Sequence, residues 1–152
     1  MIKEKLSLRK ILKKDKKILF YWFNDKESIK YKLRTTNKIS FNSHTIWFNK
    51  NLFNRKSLIW IIKINKQLIG QIRFSYIANY SYEIDIFLSK EYRGRGIASN
   101  ALKKAETFLE KKTQVISTVK KNNINSYKFF KKNSFFLTQD NKNYWKLNKI
   151  IR

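Results

Sequence analysis

Two of the three glycines in the chain lie in one short segment, Arg93-Gly94-Arg95-Gly96-Ile97-Ala98. An alternating apolar stretch ends just before it at Leu88, and residues with helical spacing begin at Ile97. The first N–H groups of a helix have no partner within the helix, and the helix dipole places positive potential there. Glycine lets the backbone approach phosphate oxygens closely, and the two arginines add cationic charge. The segment therefore predicts a pyrophosphate-binding loop between a strand and a helix.

The loop is neither a Walker A loop, which needs Gly-Lys-Ser/Thr, nor a dinucleotide-binding fingerprint, which has a different glycine spacing. A second segment follows: Asn123-x-x-Ser126-x-x-Phe129-Phe130, then Ser134-Phe135. Together the two segments resemble the motifs of the GNAT acetyltransferase superfamily, in which Ser134 replaces the usual glycine. The resemblance implies that acetyl-CoA is the co-substrate, bound by Phe87, Leu88, Arg93, Gly94, Arg95, Gly96, Ile97, Ala98, Asn123 and Ser126. Asn123 is equally suited to capping the helix that follows it.

The chemistry that this resemblance implies is transfer of an acetyl group to a primary amine. Cysteine is absent, which fits direct attack by the amine without a covalent enzyme intermediate, and a single histidine argues against a zinc site. Glu83 and Asp85 share one face of a strand and are candidate general bases, as is His44. Phe130 occupies a position where many family members have a tyrosine acid, so Tyr127, one turn earlier, or water is the candidate proton donor.

The acceptor side resembles a narrower group, the UDP-4-amino-sugar N-acetyltransferases of the pseudaminic acid (flagellin glycan) pathway. The residues that carry this resemblance are Trp22-x-Asn24-Asp25, His44-x-x-Trp47-Phe48 and Gly70-Gln71-Ile72-Arg73-Phe74. They imply an acceptor bound by Trp22, Asn24, His44, Trp47, Gln71, Arg73 and Asp85, in which rings stack on the sugar or uracil and cations meet a diphosphate. The alternatives are a ribosomal-protein N-terminal acetyltransferase and a non-catalytic, basic RNA- or ribosome-binding module on the same fold.

The elements that must position these residues can be predicted from periodicity. Strands are expected near 5–11, 58–64, 68–76, 82–88, 115–119, 134–138 and 143–148. Helices are expected after Asp15, from Asp25 to Leu33, after a Ser43 cap, from Ile97 to Leu109 and over 123–132. Gly70 inside a strand indicates a bulge or a close backbone approach. The order predicts an α/β fold, with a GNAT-like mixed sheet of about seven strands, an antiparallel first half and about four flanking helices.

Composition bounds the remaining possibilities. A chain of 152 residues with 42% hydrophobic residues is expected to form a single domain over 1–152. The net charge of +25 comes from 28 Lys and only 7 Arg, spread along the chain. This charge fits either AT-rich codon usage or a preference for acidic ligands, and the two are compatible; a nucleic-acid partner is not expected. We expect a cytoplasmic protein without membrane contact, since no apolar run or signal-peptide core is present. A homodimer is compatible with the sequence, which leaves the oligomeric state open.

Overall fold

The computed structural model describes residues 4–34 and 37–152, which form a seven-stranded mixed sheet with apolar clusters on both faces. The strand order is β1-β2-β3-β4-β5-β7-β6. The strands are β1 Leu6–Lys10, β2 Leu58–Ile64, β3 Gln67–Ala78, β4 Ser81–Leu88, β5 Gln114–Lys120, β6 Phe136–Asp140 and β7 Tyr144–Ile150. Neighbouring strands are antiparallel except β4 and β5, which are parallel. The predicted sheet, with its antiparallel first half, is confirmed.

Five α-helices accompany the sheet in the described ranges, and each corresponds to one of the helical segments expected from the sequence. They are α1 Lys16–Phe23, α2 Lys26–Lys30, α3 Phe41–Leu52, α4 Ile97–Glu106 and α5 Ile124–Lys132. The prediction that α2 reaches Leu33 is wrong, because the chain leaves the helix after Lys30. Ser43 does not cap α3 either; its N–H donates to the Ser40 hydroxyl at 3.1 Å, so the cap lies one turn earlier. No helix of the described residues has the length and apolar character of a membrane span.

Asp15 precedes α1 as predicted, but its carboxylate makes other contacts than a helix cap. It is 1% exposed and accepts hydrogen bonds from the Leu12 N–H at 2.7 Å and from both terminal nitrogens of Arg9 at 2.7 and 2.9 Å. Burial raises the pKa of Asp15, but the Arg9 hydrogen bonds and the Leu12 amide outweigh it, so the pKa lies below its usual value. The pair ties α1 to β1.

The alternation of side chains along the strands divides the core between the two faces of the sheet. One face carries the apolar cluster that includes Ile72, Ile84, Leu102 of α4 and Phe130 of α5. The opposite face carries a second cluster, with Leu19, Trp22 and Phe23 of α1, Phe48 of α3, and Ile59 and Ile61 of β2. Gln71, Arg73, Glu83 and Asp85 occupy alternate positions of β3 and β4, where Arg73 pairs with Asp85 and Ser75 with Glu83. These polar residues therefore share one face of the central strands.

The centre of the sheet is irregular at two places. At Gly70 the register of β3 against β2 shifts between Ile62 and Lys63, which confirms the predicted bulge. A side chain at Gly70 would place its Cβ 2.1 Å from the carbonyl oxygen of Phe87, so the predicted close approach of two backbones is confirmed as well. β5 pairs with β4 over only three residue pairs, the last of which joins Glu83 to Ile116. Beyond it, residues 84–88 and 117–120 diverge and leave a gap in the sheet.

Candidate active site

The loop between β4 and α4 has the backbone conformation of an anion-binding segment. Gly94 and Gly96 are both left-handed, with φ of +72° and +76°. The six consecutive N–H groups of residues 94–99 donate to no acceptor within the described residues, and the first intrahelical bond of α4 is Asn100 N–H to the Gly96 carbonyl. A Cβ at Gly94 or Gly96 would meet no atom within 4 Å. Free donors beside open space at a helix N-terminus fit the pyrophosphate of a CoA substrate.

Neither arginine of this loop has a free side chain. The Nε of Arg93 donates to the Leu88 carbonyl at 2.8 Å, and its Nη1 donates to Glu27 at 2.6 Å. Arg95 donates to both carboxylate oxygens of Glu4 at 3.0 and 3.1 Å. Arg93 thus fastens the loop to the end of β4 and to α2. Arg95 points toward the N-terminal segment.

The start of α5 forms a second edge of the site. The Oδ1 of Asn123 accepts a hydrogen bond from the Ser126 N–H at 3.2 Å, so Asn123 caps the helix. At its other end, Asn133 is 8% exposed and donates to Ser99 Oγ of α4 at 3.0 Å and to the Phe129 carbonyl at 2.8 Å. This bond ties the end of α5 to the first turn of α4.

A cleft of about 1020 Å³ connects this loop with the opposite side of the sheet, near the β4–β5 gap. Most of the predicted site residues line it: Trp22, His44, Trp47, Gln71, Arg73, Glu83, Asp85, Phe87, Leu88, Arg93, Gly94, Gly96, Ile97, Ala98, Asn123 and Ser126. One continuous cavity therefore joins the predicted cofactor loop to the predicted acceptor residues.

Three predicted residues lie elsewhere. The Asn24 amide donates to the Ile39 carbonyl at 2.9 Å and accepts from the Ile39 N–H at 2.7 Å, so both ends of its side chain hold the backbone. The ring of Tyr127 packs on Trp145 with centroids 4.4 Å apart and does not line the cleft, so the geometry does not favour it as a proton donor. Arg95 pairs with Glu4, as described above.

The three candidate bases differ in their surroundings. Glu83 lies where β4 and β5 begin to diverge, with its side chain 32% exposed and 4.0 Å from Arg34. The Asp85 carboxylate is already engaged by Gln71 Nε2 at 2.7 Å and Arg73 Nη2 at 3.7 Å. His44 is 1% exposed, and its Nε2 lies 2.8 Å from the Lys16 carbonyl oxygen, to which it donates. Burial lowers the pKa of His44, so its ring is neutral near pH 7 and a weak base.

The acceptor end contains two residues that the sequence did not single out, Phe23 and Lys32. The ring centroid of Phe23 lies 5.4 Å from the guanidinium carbon of Arg73, as does that of the predicted residue Trp47. Lys32 donates from Nζ to the Phe23 carbonyl at 2.6 Å. Phe23 reads as an ordinary core position of α1, and Lys32 follows α2 as one of 28 lysines, so neither carried a local signal.

Comparison with known proteins agrees with this geometry. The model of the acetyltransferase (GNAT) family matches residues 17–135. A domain from Methanocaldococcus jannaschii DSM 2661 superposes with a TM-score of 0.81 at 21% identity, covering 97% of this chain and 99% of that one. Spermidine N-acetyltransferase from Vibrio cholerae, in complex with CoA and spermine, has a TM-score of 0.82 at 17% identity, covering 96% and 95%. A GNAT-family acetyltransferase from Streptococcus pneumoniae has a TM-score of 0.74 at 15% identity, covering 97% and 100%.

No curated protein matches the chain in sequence. The family model nevertheless covers more than half of the chain, which therefore belongs to the acetyltransferase (GNAT) family. It is an acetyl-CoA-dependent N-acetyltransferase.

Proposed function

We propose that this chain works as a single domain, that Glu83 accepts the proton of the acceptor amine, and that the acceptor is a nucleotide-linked amino sugar. The observation that carries the role of Glu83 is the continuous cleft, which joins the free amides of residues 94–99 to Glu83 beside the β4–β5 gap. Acetyl-CoA supplies the activated acetyl group. The protein binds the two substrates, aligns the amine with the thioester carbonyl and moves a proton.

The free amides of residues 94–99 bind the pyrophosphate, and the diverging end of β4 at Phe87 and Leu88 aligns the pantetheine arm. Backbone N–H groups facing the gap polarise the thioester carbonyl, as in an oxyanion hole. Glu83 takes the amine proton directly or through water. Phe130 has no hydroxyl and Tyr127 packs on Trp145, so water supplies the proton to the leaving thiolate of CoA.

The charge of the cleft supports an acceptor with negative charge. Six cationic side chains line it, against three carboxylates: Lys30, Lys32, Arg34, Arg73, Arg93 and Lys132 against Glu27, Glu83 and Asp85. Each carboxylate already has a cationic neighbour, in Arg93, Arg34 and Arg73 respectively. The Vibrio cholerae enzyme was solved with spermine, but a polycation would find no unpaired carboxylate among the described lining residues here. A UDP-linked amino sugar has a diphosphate that can bind these cations, and its sugar and uracil rings can stack on Trp22 and Trp47.

The role of Glu83 is tested with the variant Glu83→Gln. Asp85→Asn and His44→Gln, which remove the other two candidate bases, are measured for comparison. We expect kcat to fall about 10²- to 10⁴-fold in Glu83→Gln, the usual contribution of general-base catalysis. KM for acetyl-CoA should stay within a small factor, because Glu83 lies away from the pyrophosphate loop. A Glu83→Gln enzyme with wild-type kcat and pH profile would show that the base is another group.

The acceptor is tested by mixing enzyme and acetyl-CoA with a UDP-4-amino sugar, an N-terminal peptide and spermidine, with free thiol as the readout. We expect thiol release with the sugar nucleotide. Release with the peptide alone would favour a ribosomal-protein N-terminal acetyltransferase. Acetylation of spermidine in preference to the sugar nucleotide would contradict the proposed acceptor.

A further inference from the structure

The Arg73 guanidinium is held in place on several sides. Its central carbon lies 5.4 Å from the ring centroids of Phe23 and Trp47, which contact each other edge-to-face with centroids 5.0 Å apart. Its Nη2 lies 3.7 Å from Asp85, and Asp85 is fixed in turn by Gln71, which is 0% exposed. The side chain of Arg73 is still 25% exposed and lines the cleft. An arginine packed against an aromatic pair and held by a carboxylate loses little entropy when its free N–H groups bind a ligand.

Lys32 adds a second cation to the same cluster, which we call the Arg73–Lys32 pair. Its Nζ lies over the Phe23 ring at 5.5 Å and donates to the Phe23 carbonyl at 2.6 Å. Burial lowers the pKa of Lys32, and the charge of Arg73 lowers it further, against the opposing effects of Asp85 and Asp25. Asp85 is the carboxylate within salt-bridge distance of Arg73 in the described residues. The pair therefore offers two sets of N–H donors in a partly desolvated place, where hydrogen bonds to an anion are strong.

We infer that the Arg73–Lys32 pair is a phosphate-binding subsite that determines which amines this enzyme acetylates. This inference rests on the proposed function, in which the acceptor carries a phosphate and reacts beside Glu83. The pair would bind that phosphate on the same face of the sheet as Glu83. Arg73 presents N–H donors in a fixed orientation, and Lys32 adds an ammonium group that can turn toward the same oxygens. Phosphate-bearing amines bind through both cations. Polyamines are excluded by their own charge.

The inference is tested by calorimetry with UDP on enzyme saturated with CoA, so that the cofactor loop is filled and cannot take the diphosphate. Uridine is the uncharged comparison. We expect UDP to bind and uridine to bind at least tenfold more weakly. Arg73→Met should weaken UDP binding about 10- to 150-fold, the range for one lost charge-assisted hydrogen bond, and Lys32→Met should act in the same direction.

Arg55→Met is the matched control, since Arg55 is exposed and lies outside the cleft. It removes the same charge from the whole protein and should leave UDP affinity unchanged. Equal losses in Arg55→Met and Arg73→Met would overturn the inference, because they would report the general positive field. Circular dichroism checks that each variant is folded, and the UDP–uridine comparison on the wild-type enzyme stands without any variant.

The inference and the proposed function fail separately. If amines without a phosphate group are acetylated but UDP binds no better than uridine, the assignment of the phosphate subsite is wrong while the catalytic proposal stands. If UDP binds at Arg73 and Lys32 but no amine is acetylated, the subsite stands and the catalytic proposal falls. Acetylation of spermidine as fast as of a phosphate-bearing amine would overturn the exclusion of polyamines.

Discussion

Gly70→Ala is expected to impair both stability and catalysis, because Gly70 holds two central strands at an unusually close approach. The new methyl group would lie 2.1 Å from the Phe87 carbonyl oxygen and 2.9 Å from Leu88 Cδ2. Since carbon–oxygen contacts settle near ~3.3 Å, β3 and β4 must separate locally by about 1 Å. Overpacking of this kind costs about 1–3 kcal/mol, or roughly 2–12 °C in Tm for a chain of this length.

The same displacement moves Phe87 and Leu88, which we propose align the pantetheine arm. A misplacement of about 1 Å reduces kcat by about 100-fold. The assay is thiol release at saturating acceptor, with KM for acetyl-CoA and thermal unfolding measured on the same preparation. We expect a lower kcat and a lower Tm, with the free amides of residues 94–99 still able to bind CoA.

Gly94→Ala is the comparison for the clash, because it makes the same substitution where a Cβ meets no atom within 4 Å and loses stability only through its backbone conformation. Its φ of +72° alone costs about 1–2 kcal/mol in an alanine. In Gly70→Ala, by contrast, the loss comes from a clash between strands. If Gly70→Ala retained wild-type Tm and kcat, the argument from the β3–β4 approach would be refuted.

Three further results are expected. Gly96→Glu should weaken CoA binding by calorimetry at least tenfold beyond Gly96→Ala, which shares the backbone strain at φ +76° but adds no carboxylate to the phosphate site; equal affinities would mean that the loop is not the site. Ser134→Gly should raise Tm by about 2–4 °C with unchanged kcat, because Ser134 adopts φ of +68° at the end of α5 and glycine relieves about 1 kcal/mol there; an unchanged or lower Tm would contradict this. The free energy of unfolding should decline as pH falls below about 6.5, because burial lowers the pKa of His44 and the unfolded chain binds the extra proton. This decline should be smaller in His44→Gln, as measured by urea unfolding at several pH values.

The loop between β4 and α4 was predictable because its signals are local. Two of the three glycines in the chain, Gly94 and Gly96, lie between a strand and a helix. Both adopt the left-handed conformation that glycine takes more readily than other residues. Gly70 was informative for the same reason. The order of strands and helices along the chain followed from hydrophobic periodicity. Helix boundaries moved by a few residues where cap residues such as Ser40 and Ser43 compete.

The acceptor half was less predictable because its contacts join distant parts of the chain. Asn24 looks like a ligand-binding amide until Ile39 occupies both ends of its side chain. Tyr127 lies one turn from Phe130, yet the packing of Trp145 decides where its ring lies. The importance of Lys32 comes from its contact with Phe23, and a sequence with 28 lysines gives no sign of which one it is.

The three-pair junction between β4 and β5 has a consequence for how much of this protein is folded in a cell. A substrate bound across the gap, as we propose, contacts both the end of β4 and the start of α5, so it would bind the folded chain and not the unfolded one. By mass action, such a ligand at about 100 times its Kd adds about 2.7 kcal/mol to the free energy of unfolding. The supply of acetyl-CoA therefore sets the working enzyme's resistance to unfolding and proteolysis as well as its rate. A cell short of acetyl-CoA would then hold less of this enzyme in its folded form.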